Sequence, residues 1–372
     1  MSAARRIDAD RYAPDGEQAL GRLGWDPGWA QAYGELDIAV AAEPVRVTAV
    51  DRGAVDALGA CGHVRATLGG DVLAAMAADP STAPCAGDWV AVRSWPDGRR
   101  TVDAVVPRRT SFRRAVAGGE SYEQVLAANA DDALVVVSLT AEPDLGRVER
   151  LVALAWDSGA TPVVVLTKSD LVSDAVHIAS DVAGAAPGVE VMVVSAVTGQ
   201  GIDALAGRAR DARTLALLGQ SGVGKSTLVN VLVGAAVLPV APVGVNGKGR
   251  HTTVRRELVP LPGGGLLLDT PGLRGVGVTD LEEGLALAFP DIEELGQRCR
   301  FADCAHGSEP GCEVLRAVES GALQARRLES WQRLQREAAW IARRTDARLR
   351  AQERRKWASF SKSMRRDGVV RP

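Results

Sequence analysis

The residues Gly219, Gln220, Ser221, Gly222, Val223, Gly224, Lys225, Ser226 and Thr227 fit G-x-x-x-x-G-K-[ST]. The apolar run "TLALL" leads into them and the helical pattern "STLVNVLVG" leads out. In that setting bare backbone N–H groups and a helix N-terminus can wrap a phosphate. Lys225 is placed to reach the β- and γ-phosphates, and the Ser226 hydroxyl to hold Mg²⁺. Further on, "LLLDTPG" ends an apolar strand with D-x-x-G. There Asp269 is expected to bind Mg²⁺ through water, and the Gly272 N–H to contact the γ-phosphate.

A second group of residues suits a purine base. "TPVVVLTKSD", Thr161 to Asp170, reads as a buried strand with the tip Thr167-Lys168-Ser169-Asp170. A carboxylate at Asp170 can accept from guanine N1–H and N2–H₂, a pair that adenine lacks. The stem of Lys168 can lie along the base plane. "VSAVTG" then supplies Ser195 and Ala196, whose backbone N–H groups are placed to meet guanine O6.

Both base loops precede the phosphate loop, so the order is base, base, phosphate, switch, switch. A sheet is indifferent to where its chain is cut if the original termini lie close. The order therefore predicts a circularly permuted GTPase. "NGKGRHTTV", Asn246 to Val254, occupies the place of the first switch. Thr252 or Thr253 is expected to ligate Mg²⁺ there. The residue directly after D-x-x-G is Leu273, which cannot position water, and His251 is the candidate substitute as a neutral imidazole.

"CRFADCAHGSEPGC" carries Cys299, Cys304, His306 and Cys312 as C-x₄-C-x-H-x₅-C. Three thiolates and an imidazole make a closed tetrahedral set for structural Zn²⁺, with no position left open for hydrolysis. The other two of the five cysteines, Cys61 and Cys85, are expected to be small buried apolar residues. The odd count and the absence of an apolar leader behind "MSAARR" argue against an exported disulfide scaffold and for the cytoplasm. No apolar run is long enough to span a bilayer, so no membrane partner is expected. A net charge of −2 hides a basic end: from Arg326 onward there are 15 Lys+Arg against 5 Asp+Glu. A polyanionic partner, most simply nucleic acid, fits that asymmetry.

These residues need a scaffold. Residues 1–35 form an N-terminal extension with Trp25 and Trp29 on a short docking helix. Residues 36–115 hold four or five alternating strands with Gly, Asp and Pro turns, which suits a closed barrel of the OB-fold type. Residues 120–276 alternate buried apolar strands with helices, the signature of a doubly wound, mainly parallel sheet. "TTVRRELVPLPGGGLLLDT" adds an antiparallel edge around a Pro/Gly turn. Residues 277–366 form a zinc-binding and basic helical domain, with Trp331, Leu334, Ala338 and Ile341 at helical steps, and 367–372 a tail. The expected fold class is multidomain α/β.

Barrel, motif order and cysteine knot together resemble the RsgA family, the bacterial small-ribosomal-subunit biogenesis GTPases, over nearly the whole chain. The resemblance implies an OB-fold, a permuted P-loop GTPase and a zinc domain. It implies GTP/GDP, Mg²⁺ and one structural Zn²⁺, and GTP hydrolysis stimulated by the small (30S) subunit and its rRNA. It implies a monomer that acts late in maturation of that subunit. The alternative is a permuted GTPase that acts on the large subunit or another structured RNA. Two departures stand out. Thr167 replaces the commoner asparagine of the base loop, which is expected to weaken nucleotide affinity without changing base choice. Val254 stands where a third threonine often follows "GRHTT".

Overall fold

The alternating segments of the first third of the chain close on themselves. In the computed structural model, which describes residues 16–38, 41–116, 122–234, 257–269 and 282–345, five strands form an OB-like barrel. They are β1 (Ala42–Asp51), β2 (Ala54–Gly59), β3 (Gly62–Leu68), β4 (Trp89–Ser94) and β5 (Arg100–Val105). The closed order is β1-β2-β3-β5-β4, with only the β3–β5 pair parallel. Period-two alternation sends Val64 and Ala66 inward while His63, Arg65 and Thr67 stay outside the core. Val45, Val47, Val55, Ala57, Val90 and Val102 complete the filling. Cys85 is buried, as expected. Cys61 is not: it is exposed at the β2–β3 turn, where the reversing chain has no inner face.

Two short helices precede the barrel, α1 (Gly16–Arg22) and α2 (Pro27–Gly34), and a third, α3 (Gly70–Ala78), follows β3. Trp25 stands edge-on to Trp89 with centroids 4.7 Å apart. After the barrel comes a two-stranded ribbon of β6 (Ser111–Val116) and β7 (Tyr122–Ala128), which the sequence patterns did not announce.

The second half of the chain builds a six-stranded sheet in the order β10-β9-β8-β11-β13-β12. Its strands are β8 (Asp132–Ser138), β9 (Thr161–Thr167), β10 (Glu190–Val193), β11 (Thr214–Leu218), β12 (Glu257–Pro260) and β13 (Leu266–Asp269). All neighbours run parallel except β12, the antiparallel edge. The strands read as unbroken apolar runs because both faces are covered. Ala133, Val135, Val164, Leu166, Ala216 and Leu218 belong to one core, while Leu134, Val136, Val163, Val165, Leu215 and Leu217 belong to the other. Helix α4 (Leu145–Asp157) connects β8 to β9, α5 (Ala175–Ala185) connects β9 to β10, and α6 (Ile202–Gly207) connects β10 to β11. Helix α7 (Lys225–Val233) follows β11. From β8 the chain winds outward to β10 and then returns to β11 on the other side of β8. The crevice at the carboxyl ends of β8 and β11 is thus the topological switch point, where open α/β sheets bind ligands.

Four further helices follow: α8 (Glu282–Ala288), α9 (Pro290–Gly296), α10 (Glu313–Glu319) and α11 (Ala325–Thr345). Trp331 and Leu334 bury the inner stripe of α11. The side chain of Ile341, the first 15 residues, the end of the basic tail and both switch loops lie outside the described residues.

Two buried arginines hold these parts together. Arg46 of β1 is 2 % exposed and has no carboxylate hydrogen-bond partner among the described residues. It donates to the carbonyls of Leu23, Gly87 and Asn129, and to the Thr214 hydroxyl of β11 at 2.9 Å. Burial pushes its guanidinium down to about 10, which leaves it charged at neutral pH. Arg327 of α11 is 4 % exposed in its side chain and bonds Asp291 through two nitrogens and Glu149 of α4 through a third. It also donates to the carbonyls of Ala185 and Ala288. Arg46→Ala strands the Leu23 and Asn129 carbonyls, while that of Gly87 keeps the Asn129 amide, and is expected to cost about 3 kcal/mol. Urea unfolding followed by tryptophan fluorescence reads this directly, because Trp89 lies 5.5 Å from the Arg46 guanidinium carbon. An unchanged midpoint would remove Arg46 from this role.

Candidate nucleotide and metal sites

Strand order brings the phosphate and base motifs together. β8 separates β9 from β11, so the tips of β9 and β11 flank its carboxyl end. Gly219 leaves β11 with φ +139°, and a Cβ there would lie 2.5 Å from the Val136 carbonyl of β8. Only glycine lets the loop start so close to the neighbouring strand. The loop closes on α7 at Gly224, whose φ is +101°. Ser226 and Thr227 stand in the first turn of α7, with the unsatisfied N–H groups that an anion needs. The Lys225 ammonium bends back over the loop and donates to the Gly219 carbonyl at 2.7 Å and to that of Gln220.

The base tip locks onto the other end of this loop. Thr167 donates its hydroxyl proton to the Val223 carbonyl, 2.6 Å away, while the Val137 carbonyl of β8 lies at 3.2 Å. Lys168 turns into the left-handed region, φ +61°, and its Nζ donates to the Gly222 carbonyl at 3.0 Å. The lysine stem crosses the phosphate loop, as stacking on a base requires.

The two base loops are also tied to each other. Ser195 donates from its hydroxyl to Asp170 Oδ1 at 2.5 Å. That hydroxyl accepts from the N–H groups of Val197 and Thr198 at 3.2 and 3.1 Å, which fixes its orientation. The Ser169 hydroxyl donates to Gln200 Oε1 at 2.9 Å. The Ser195 backbone N–H is committed to the Gln200 carbonyl at 2.9 Å. Ser195 is therefore placed to aim the Asp170 carboxylate, with its own N–H engaged, and of the two residues it is Ala196 whose N–H has no partner among the described residues. Gln200 was missed in the sequence, where a glutamine in a turn carries no signal. Asp170 itself is exposed, with its second carboxylate oxygen open.

Asp269 is 8 % exposed at the end of β13, beside β11. Asp269 and Ser226 are the described residues suited to Mg²⁺, which would neutralise charge between the β- and γ-phosphates. Gly272, Leu273, His251, Thr252, Thr253 and Val254 lie outside the described residues.

The cysteine motif folds into one cluster. The ligand atoms of Cys299, Cys304, His306 and Cys312 lie within 4.8 Å of one another. Zn–S bonds of about 2.3 Å in a tetrahedron imply S···S edges of about 3.8 Å and slightly shorter N···S edges. Cys299 and Cys312 Sγ stand 3.8 Å apart, and His306 Nδ1 lies 3.7 and 3.4 Å from them. The donor set thus fits zinc in both chemistry and size. Burial holds the His306 imidazole below its ordinary range, which favours the neutral form that ligates. Cys312 caps α10, its sulfur accepting from Leu315 N–H at 3.4 Å, and His306 packs 5.2 Å from the Trp331 ring of α11. Through these contacts the cluster orders both helices.

A family model described as RsgA GTPase matches residues 105–279. The small ribosomal subunit biogenesis GTPase RsgA of Streptomyces coelicolor is 52% identical over 91% of this chain and 92% of its own length. RsgA 1 of Listeria innocua is 39% identical over 93% and 98%. Among solved structures, YjeQ from Thermotoga maritima matches with a TM-score of 0.59 at 23% identity, covering 80% of this chain and 99% of its own. YloQ, described as a circularly permuted GTPase, matches with a TM-score of 0.58 at 21% identity, covering 82% and 98%. The structural likenesses support the permuted fold.

Thr167→Val removes the donor that ties base loop to phosphate loop and is expected to weaken GDP binding about tenfold, roughly one lost hydrogen bond. Thr167→Ser, which keeps the donor, is expected to stay near wild type; equal affinities for all three by titration calorimetry would contradict the tie. Elemental analysis is expected to find one zinc per chain, and Cys304→Ser to lose it together with thermal stability. A metal-free chain of wild-type stability would exclude a structural zinc.

Proposed function

The chain belongs to the RsgA GTPase family, and on that premise we propose that it hydrolyses GTP as an assembly factor of the small ribosomal subunit. The observation that carries this is the meeting of the Thr167–Asp170 base loop with the phosphate loop, at the Thr167–Val223 and Lys168–Gly222 hydrogen bonds, while the second base loop is tied to the first through Ser195 and Asp170. The pocket binds a guanine nucleotide, with Asp170 on N1–H and N2–H₂ and Ala196 on O6. Lys225, the first turn of α7 and the loop amides hold the phosphates. Mg²⁺ is assigned to Ser226 and Asp269, with Thr252 or Thr253 joining in the GTP state. His251 is assigned the attacking water, since Leu273 cannot orient it. Zinc is assigned to the three cysteines and His306. The chain works as a monomer in the cytoplasm.

The path from nucleotide to partner follows from the fold. β13 ends at Asp269, and the next described element, α8, lies against α4. The Ala288 carbonyl at the end of α8 accepts from Arg327 of α11 at 3.0 Å. These contacts support a relay in which a change at the D-x-x-G motif reaches Arg327 through α8. The arginine-rich end supplies the electrostatic attraction to rRNA.

Purified small subunits are expected to raise GTP turnover, and large subunits are not. The chain is expected to co-sediment with small subunits when bound to a non-hydrolysable GTP analogue and to leave them in GDP. Lys225→Ala is expected to lower kcat at least about a hundredfold. Turnover indifferent to small subunits would send the GTPase to another RNA.

A further inference from the structure

The phosphate loop has two ends with different neighbours. Its Gly222–Gly224 end carries the base loop, through Lys168 and Thr167. Its Gly219–Gln220 end carries the Lys225 ammonium, and so adjoins the terminal phosphates. This second end opens into a cavity of about 350 Å³, whose other walls include Asp144, Arg147 and Arg150 of the α4 start and Arg333 of α11.

The charges around that cavity are unbalanced. Asp144 accepts from the Arg147 N–H at 3.1 Å and lies 3.9 Å from its guanidinium. Arg150 is paired with Glu337 at 2.6 Å. Arg333 has no carboxylate or carbonyl partner among the described residues. Its guanidinium lies over the first turn of α4: a Cβ on Gly146 would be 2.5 Å from Nη2. A cation at a helix N-terminus opposes the helix dipole, so this position favours an incoming anion. An independent observation points the same way. Ser330, one turn earlier on α11, is 3 % exposed, its hydroxyl has no partner, and that oxygen is 3.6 Å from the same point over Gly146. An exposed guanidinium and a buried hydroxyl without a partner among the described residues therefore converge over the first turn of α4, and the guanidinium shares its cavity with the γ-end of the phosphate loop.

We propose that Arg333 is a catalytic arginine supplied in cis by the helix behind the zinc cluster. The inference rests on the reading that GTP is hydrolysed in this pocket. Water attacks the γ-phosphorus, and the bond from that phosphorus to the β,γ-bridging oxygen breaks. The electron pair leaves with GDP, and the water proton ends on the released phosphate. Arg333 stabilises the charge that builds on the phosphoryl oxygens. His251 is assigned the water that a glutamine after D-x-x-G would orient, so the task left for an arginine is to stabilise charge on the phosphoryl oxygens. A partner that shifts α11 would then control turnover by moving Arg333 relative to the phosphate loop.

The test uses the full-length, zinc-loaded chain with Arg333→Ala, Arg333→Lys and the control Arg336→Ala, which removes an exposed charge one turn further along α11. Arg333→Ala is expected to lower kcat at least about 30-fold and to weaken binding of GDP with aluminium fluoride and Mg²⁺ by a similar factor. Its affinity for GDP alone, zinc content and melting temperature are expected to match wild type. Arg333→Lys is expected to recover part of both losses, because it keeps the charge without the planar fork. Wild-type kcat and aluminium fluoride affinity in Arg333→Ala overturn the proposal, as does an equal loss in Arg336→Ala. A parallel loss of GDP affinity or zinc also overturns it, by making Arg333 a structural residue. A wild-type chain that binds GDP with aluminium fluoride no better than GDP, and turns over no GTP with or without small subunits, sinks the underlying reading as well.

Discussion

One hydrogen bond carries the logic of the site: the Thr167 hydroxyl to the Val223 carbonyl, 2.6 Å across the crevice. It joins the loop proposed to identify a base to the loop proposed to grip phosphate. A single nucleotide satisfies both loops only if their separation is fixed to within a fraction of an ångström. The bond forms because β9 and β11 sit on either side of β8. Nothing in that adjacency depends on which loop the ribosome translates first. Chain order can be permuted while the pocket is kept, provided the hydrophobic runs still stack in the same spatial order.

Permutation has a mechanical consequence. Strand β13, which ends in the D-x-x-G motif, becomes the last strand of the sheet among the described residues, so the chain beyond it leads to the helices around the cysteine cluster. Those helices are pinned to the sheet by charge rather than by a large apolar seam alone. Arg327 gathers Glu149, Asp291 and two helix-end carbonyls into one buried cluster. A buried ionic cluster of this kind is costly to leave half-satisfied, so it favours discrete arrangements over gradual drift. At the other side of the sheet Arg46 fixes the barrel to the amino end of β11, the strand that bears the phosphate loop. Barrel and zinc domain thus both refer to the nucleotide pocket.

Much of this was legible in the sequence, and the reasons differ by feature. Glycine spacing in the phosphate loop, the apolar strands before each tip and the clustered cysteines are local patterns, and the structure brings them together as read. The antiparallel edge β12 followed from a Pro/Gly turn. Long-range polar contacts left no such trace. Arg46 and Arg327 look like any other arginine among many, and Gln200 like any turn residue. Thr167 was expected to weaken the site as a substitute for asparagine, yet its single hydroxyl bridges the two loops. Burial and partner geometry, which decide these roles, exist only once the chain is folded.

The account is tested most directly by a crystal structure of the chain with GDP and Mg²⁺. It predicts the Asp170 carboxylate within about 3 Å of guanine N1 and N2, the Lys168 stem against the base, and the diphosphate wrapped by Gly219–Thr227. A base lying away from Asp170, with the phosphates still in the loop, would contradict it.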